Sequence, residues 1–151
     1  MKSKVEQPVA LICTFTWIGF ICAISFMEAW LKFRAPGVTL PIGLGIGRLV
    51  FAALNKVEWV FAVAILISNI RTVGKIKISP FYVIAVLILI LQTVWLLPAL
   101  DARALLYIEA KPVPPSSLHL YFAIAEGIKF LLLLVFGIRL FKLEKDLSKT
   151  S

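Results

Sequence analysis

Read for the alternation of apolar and polar positions, the chain falls into four long apolar stretches joined by short polar segments. The first covers residues 9–33 and closes on Lys32 and Arg34, with Pro36-Gly37 as the helix stop. The third covers 80–100, opens on Pro80, whose missing N–H is harmless in a first turn, and ends at Asp101 and Arg103. The fourth covers 118–141 and follows the proline-rich loop 111–117, where Ser116 or Ser117 is placed to cap it. Each reaches the roughly 20 residues that a bilayer demands of a helix.

The second stretch is less regular. Its purely apolar part, 59–70, is too short to span, so the pattern predicts a helix over 49–70 that carries Asn55, Lys56 and Glu58 to membrane depth. Ahead of it, residues 36–48 are rich in Gly and Pro, with Gly43, Gly45 and Gly47 at alternate positions. That segment reads as re-entrant or interfacial, or as a surface for close helix approach through Gly43 and Gly47, with Ala52 and Ala62 further along. The expected fold is all-α: an integral membrane four-helix bundle with short loops, forming a single transmembrane domain over 1–151.

Composition supports a lipid solvent. Hydrophobic residues make up 61% and charged residues 16%, against about 45–50% and about 25% in soluble domains. The net charge of +8 sits in short groups at the ends of apolar runs, without an aromatic-interleaved basic patch, which argues against nucleic acid as a partner. Lys2 and Lys4 before an apolar run, with Ala23-Ile24-Ser25 as a small-x-small triplet, resemble a signal peptide. The apolar run continues to Trp30, so it is expected to be retained as the first helix. The segments on the N-terminal side hold nine basic residues, Lys2, Lys4, Arg71, Lys75, Lys77, Arg139, Lys142, Lys145 and Lys149. The opposite side holds five, Lys32, Arg34, Arg48, Arg103 and Lys111. Nine against five predicts that both termini are cytoplasmic, and the chain is expected to be a multi-pass protein of a bacterial-type inner membrane.

Polar groups at membrane depth gather in one half of the expected bundle: Glu28, Asn55, Glu58, Gln92, Asp101, His119, Glu126 and Lys129. On the second helix Arg48, Ala52, Asn55, Glu58 and Ala62 recur at spacings of three or four; on the fourth, His119, Phe122, Glu126 and Lys129 do the same. Charges in lipid are costly, about 2.5–3.5 kcal/mol each on insertion scales, so both stripes are expected to point inward. Lys56, about 160° round from Glu58, is expected to snorkel outward or to meet another subunit. The candidate ligand- or ion-binding residues are therefore Glu58, Glu126, Lys129, Asn55, Gln92, His119, Glu28 and Arg48. Two readings stand side by side: a structural brace of Glu58, Glu126 and Lys129, or a polar cavity in the outer half of the bundle for transport or binding of a proton, an ion or a small polar ligand.

Several chemistries lack their residues. One histidine, His119, cannot supply paired haem ligands or a di-iron carboxylate site, although with Glu126 and Glu58 it could form a single divalent-metal set. Gly43, Gly45 and Gly47 lack the lysine and hydroxyl of a phosphate loop, and no serine stands in a nucleophile elbow. Cys13 and Cys22, nine residues apart, fall on opposite helix faces and cannot pair with each other. No cofactor is expected. The expected partners are the bilayer and a second membrane subunit, either a copy of this chain or a different one.

The spacing Arg48-x3-Ala52-x2-Asn55-x2-Glu58, with Phe33-Arg34 before a proline-containing loop, resembles the second-helix motif of the membrane-associated eicosanoid and glutathione metabolism family. That resemblance implies a glutathione-dependent membrane transferase, with Arg48, Asn55 and Glu58 helping to hold the tripeptide. Phe51 and Ala52 stand where that family usually carries a further arginine, and Arg71-Thr72-Val73-Gly74-Lys75 departs from its pattern after the second helix. An accessory subunit of a larger membrane complex is the third expectation.

The basic-residue count makes a direct prediction. Single cysteines at Lys75 and Ser148 should be protected from an impermeant thiol reagent in intact cells, and one at Ser116 should react. The reverse labelling pattern would invert the topology.

Overall fold

The computed structural model describes the backbone of residues 7–73 and 78–147. Lys2, Lys4, Lys75, Lys77 and Lys149, which enter the charge count, lie outside these residues. The described chain contains four helices long and apolar enough to cross a membrane. We label them α1 (Pro8–Arg34), α2 (Leu40–Val73), α3 (Pro80–Ile108) and α4 (Leu118–Leu147).

The second helix differs from expectation. Residues 40–48 are not a separate re-entrant or interfacial segment but the opening turns of a continuous α2. Pro41 falls in the first turn, where it breaks no hydrogen bond, and the Gly43 N–H already donates to the Thr39 carbonyl at 2.9 Å. The glycines serve contacts within the chain: a Cβ at Gly43 would collide with the Phe33 ring, and one at Gly47 would press on the Lys32 ammonium at 3.0 Å. Ala62 is likewise buried, its carbonyl accepting from the Tyr82 hydroxyl at 2.6 Å. Most of the small-residue surface expected to receive another subunit is thus covered by the chain itself.

Two helices contain wide, π-type turns, Cys22–Glu28 in α1 and Gln92–Leu96 in α3. The second precedes Pro98, which has no N–H to return to the preceding turn, and the widened ladder absorbs that loss. Past it α3 continues beyond residue 100 to Ile108, because Asp101 is paired with Arg48 and Ala104 is buried. The short link between α1 and α2 turns at Gly37, at φ +81°, a conformation that favours glycine.

Packing is uneven along the bundle. Toward the chain termini, Ala10, Trp17, Ile18, Ile21, Ala62, Ile65, Tyr82, Ala85, Leu89, Leu133 and Phe136 form one apolar core. There α1 lies against both α2 and α4, and Gly137 lets α4 approach Thr14 and Phe15 of α1. The first half of α3 packs on α4, whereas its second half packs on α2. At the end carrying the links 35–39 and 109–117, α3 therefore diverges from α4, and a cavity opens. Outward faces carry large apolar side chains such as Ile12, Leu49, Leu87, Val94 and Leu131, each more than half exposed.

The close approach at Gly137 predicts a stability difference. Gly137→Leu should lower stability by about 1–3 kcal/mol through overpacking against Thr14 and Phe15. Gly19→Leu, which meets nothing within 4 Å, should stay within about 0.5 kcal/mol. Thermal unfolding in mild detergent compares the two.

Candidate functional site

Near mid-length of all four helices lies a closed polar network centred on Lys129, which is fully buried. Its ammonium has three hydrogens and meets three acceptors: Glu58 Oε1 at 2.5 Å, Gln92 Oε1 at 2.6 Å and Glu126 Oε1 at 2.7 Å. Trp17 Nε1 donates to Glu58 Oε1 at 2.8 Å, Gln92 Nε2 to Glu126 Oε1 at 2.6 Å, and Ser25 Oγ to Glu126 Oε2 at 2.8 Å. Both π-turns are used here, since they carry Ser25 and Gln92, the two neutral side chains that donate to Glu126. By formal count two carboxylates face one ammonium, and these neutral donors spread the surplus negative charge.

The network joins Glu58, Glu126 and Lys129, the three charges that the stripes on α2 and α4 brought to one depth. On its own helix face Glu58 has only the distant Arg48 as an opposite charge, and α4 brings Lys129 to it across the bundle. Sequence reasoning missed Trp17 and Ser25, because a tryptophan and a serine in an apolar run look like filler until the tertiary fold points them at a carboxylate.

Toward the link end, above the network, a cavity of about 480 Å³ opens between the last turns of α1, the first half of α2, the second half of α3 and the start of α4. That volume falls within the range of small-molecule sites, roughly 300–1,000 Å³. Its walls are mostly apolar, with Phe33, Leu44, Phe51, Leu97 and Phe122 prominent, and Lys32, Arg48, Lys56 and His119 bring positive or protonatable groups to it. Its polar floor is Thr93, whose hydroxyl accepts from Asn55 Nδ2 at 2.9 Å and Trp59 Nε1 at 3.0 Å and donates to the Leu89 carbonyl at 2.7 Å.

The cavity cations are held to different degrees. Lys32 pairs with Glu28 at 3.2 Å and lies between the Phe33 and Phe51 rings, 5.5 and 5.3 Å from their centroids. Glu28 Oε1 is buried without a partner. Arg48 grips Asp101 through two bonds, Nε to Oδ1 at 2.5 Å and Nη2 to Oδ2 at 3.0 Å. Lys56 lines the cavity with its side chain exposed, and His119 stands exposed at the mouth.

The eight candidate residues therefore divide. Glu58, Gln92, Glu126 and Lys129 belong to the closed network; Arg48, Asn55 and His119 line the cavity, and Glu28 anchors one of its cations. Arg48 and Asn55 consequently do not share an open site with Glu58, which is 2% exposed and faces Trp17 and Lys129. Among the described residues no three His, Cys, Asp or Glu side chains converge as a metal set, and His119 does not join Glu58 and Glu126. In comparisons with known protein families, curated proteins and solved structures, the chain matches none.

Because Lys129 serves both carboxylates, its loss should be the most damaging single change. Lys129→Met is expected to destabilise the bundle by about 3–5 kcal/mol, the range for removing one partner of a buried pair. Lys129→Met with Glu126→Gln should recover only part of this, since Glu58 stays uncompensated; adding Glu58→Gln should recover most. Melting temperatures of the three variants in one detergent test the order, and full recovery in the double variant would remove Glu58 from the network.

Proposed function

We propose that the chain is an integral membrane protein that binds a small amphipathic anion in the cavity at the link end of its bundle. The membrane setting rests on four apolar helices whose outward faces are apolar; the membrane in this reading is a bacterial-type inner membrane, and nine against five basic residues favour cytoplasmic termini. The observation that carries the ligand reading is the composition of the cavity wall. Apolar side chains line its body, and Lys32, Arg48 and Lys56 stand along it, with no matching carboxylate for Lys56 among the described ion pairs. Such a wall suits a ligand with an apolar body and a negative head, which could enter from the adjoining lipid.

Glu58, Glu126 and Lys129 act in this reading as a brace that holds four helices at fixed spacing beneath the cavity. All three ammonium hydrogens are used and the group is buried, which supports structure over exchange with a solute. Binding is the proposal; movement of the ligand across the bilayer would be an additional property.

The test is equilibrium binding of a long-chain fatty acid to purified protein in zwitterionic nanodiscs. Saturable binding should weaken at least several-fold in Phe51→Trp, which fills the cavity, and in Lys56→Gln, which removes its unpaired cation. Binding that is absent in wild type, or indifferent to both changes, would refute the reading.

A further inference from the structure

Two kinds of charge pair occur in this molecule. The pairs of Lys129 are closed, with side-chain exposure of 0% for the lysine and 1–3% for its carboxylates. The Arg48–Asp101 pair is open, at 29% and 45%, although its two-bond geometry is what a guanidinium offers to a planar carboxylate. A pair this exposed contributes little to stability and separates readily. Both of its residues line the amphipathic cavity.

We infer that Asp101 is a built-in competitor for the ligand head: its carboxylate occupies the edge of Arg48 that a carboxylate-headed amphiphile takes on binding. This inference rests on the proposed ligand reading and narrows it. The head must be planar and able to accept two parallel N–H bonds, because that is the shape Arg48 already holds. It must also carry a single charge. Asp101, once displaced, remains at the cavity edge, and Glu28 stays beside Lys32, so a doubly charged head would face two carboxylates. Lys56 also lines the cavity wall, with no carboxylate partner among the described ion pairs. The ligand class that meets these conditions is a single-chain carboxylic acid drawn from the bilayer, with its chain along Phe51, Leu97 and Phe122.

The experiment uses full-length protein in zwitterionic nanodiscs, with a long-chain fatty acid and the alkyl phosphate and alcohol of equal chain length as probes. Asp101→Asn should bind the fatty acid about threefold to fivefold more tightly than wild type, the scale of a partly exposed ion pair that no longer competes for Arg48. Arg48→Gln should bind it weakly, and in wild type the order should be fatty acid, then alkyl phosphate, then alcohol. A second measurement needs no variant: carbodiimide modification of Asp101, followed by peptide mass mapping, should accelerate when the fatty acid is bound. Unchanged or weaker binding in Asp101→Asn, or Asp101 reactivity that stays constant or falls on binding, would overturn the competitor role while leaving the cavity reading intact. A preference for alkyl phosphate would overturn the head assignment. Failure of every probe to bind wild type and Asp101→Asn would overturn both.

Discussion

The Lys129 ammonium is the point on which the bundle's polar organisation depends. A buried lysine is tolerable only when its hydrogens are all used and its charge is answered, and here three acceptors from three helices meet both needs. Because the acceptors come from α2, α3 and α4, with α1 donating to the carboxylates through Trp17 and Ser25, one ammonium ties the positions of all four helices together. Hydrocarbon-like outward faces give no preference for one helix arrangement over another in lipid; directional hydrogen bonds and close small-residue contacts do.

That constraint explains why the cavity sits where it does. Below the network, Gly137, Ala62 and Ala85 let the helices close on an apolar core. Above it, the π-turn at Gln92–Leu96 and Pro98 redirect α3 toward α2 and away from α4, and the space that opens is the cavity. The same π-turn that delivers Gln92 to Glu126 therefore lies where α3 begins to diverge and the cavity opens. The Arg48–Asp101 pair above the network is partly exposed and the pairs within it are not, so open and closed charge pairs occupy different levels of the bundle.

The eicosanoid and glutathione metabolism resemblance rested on residues of one helix, and the folded chain distributes them. Arg48 and Asn55 face the cavity, whereas Glu58 points into the brace, even though spacings of three and four residues place all three along one stripe. A stripe on a long helix crosses several environments as it runs from the mouth of a bundle to its centre. Shared helical phase does not imply a shared site.

The sequence by itself determined the helical class, the four apolar segments and the inward direction of the charged stripes, because apolar runs of this length and the cost of charge in lipid are local properties of the chain. It also indicated that Glu126 and Lys129, three residues apart, would be neighbours. It did not reveal that residues 40–48 begin α2, since the tolerance of Gly43 and Gly47 in a helix depends on Phe33 and Lys32 covering them. It offered Glu58 as a partner of Lys129 only as one of two readings, and it could not pair Arg48 with Asp101 or Ser25 with Glu126, residues 53 and 101 positions apart. Those partners are chosen by the order in which helices pack and by two π-turns that shift helical phase, and both are settled only when the four helices close on one another.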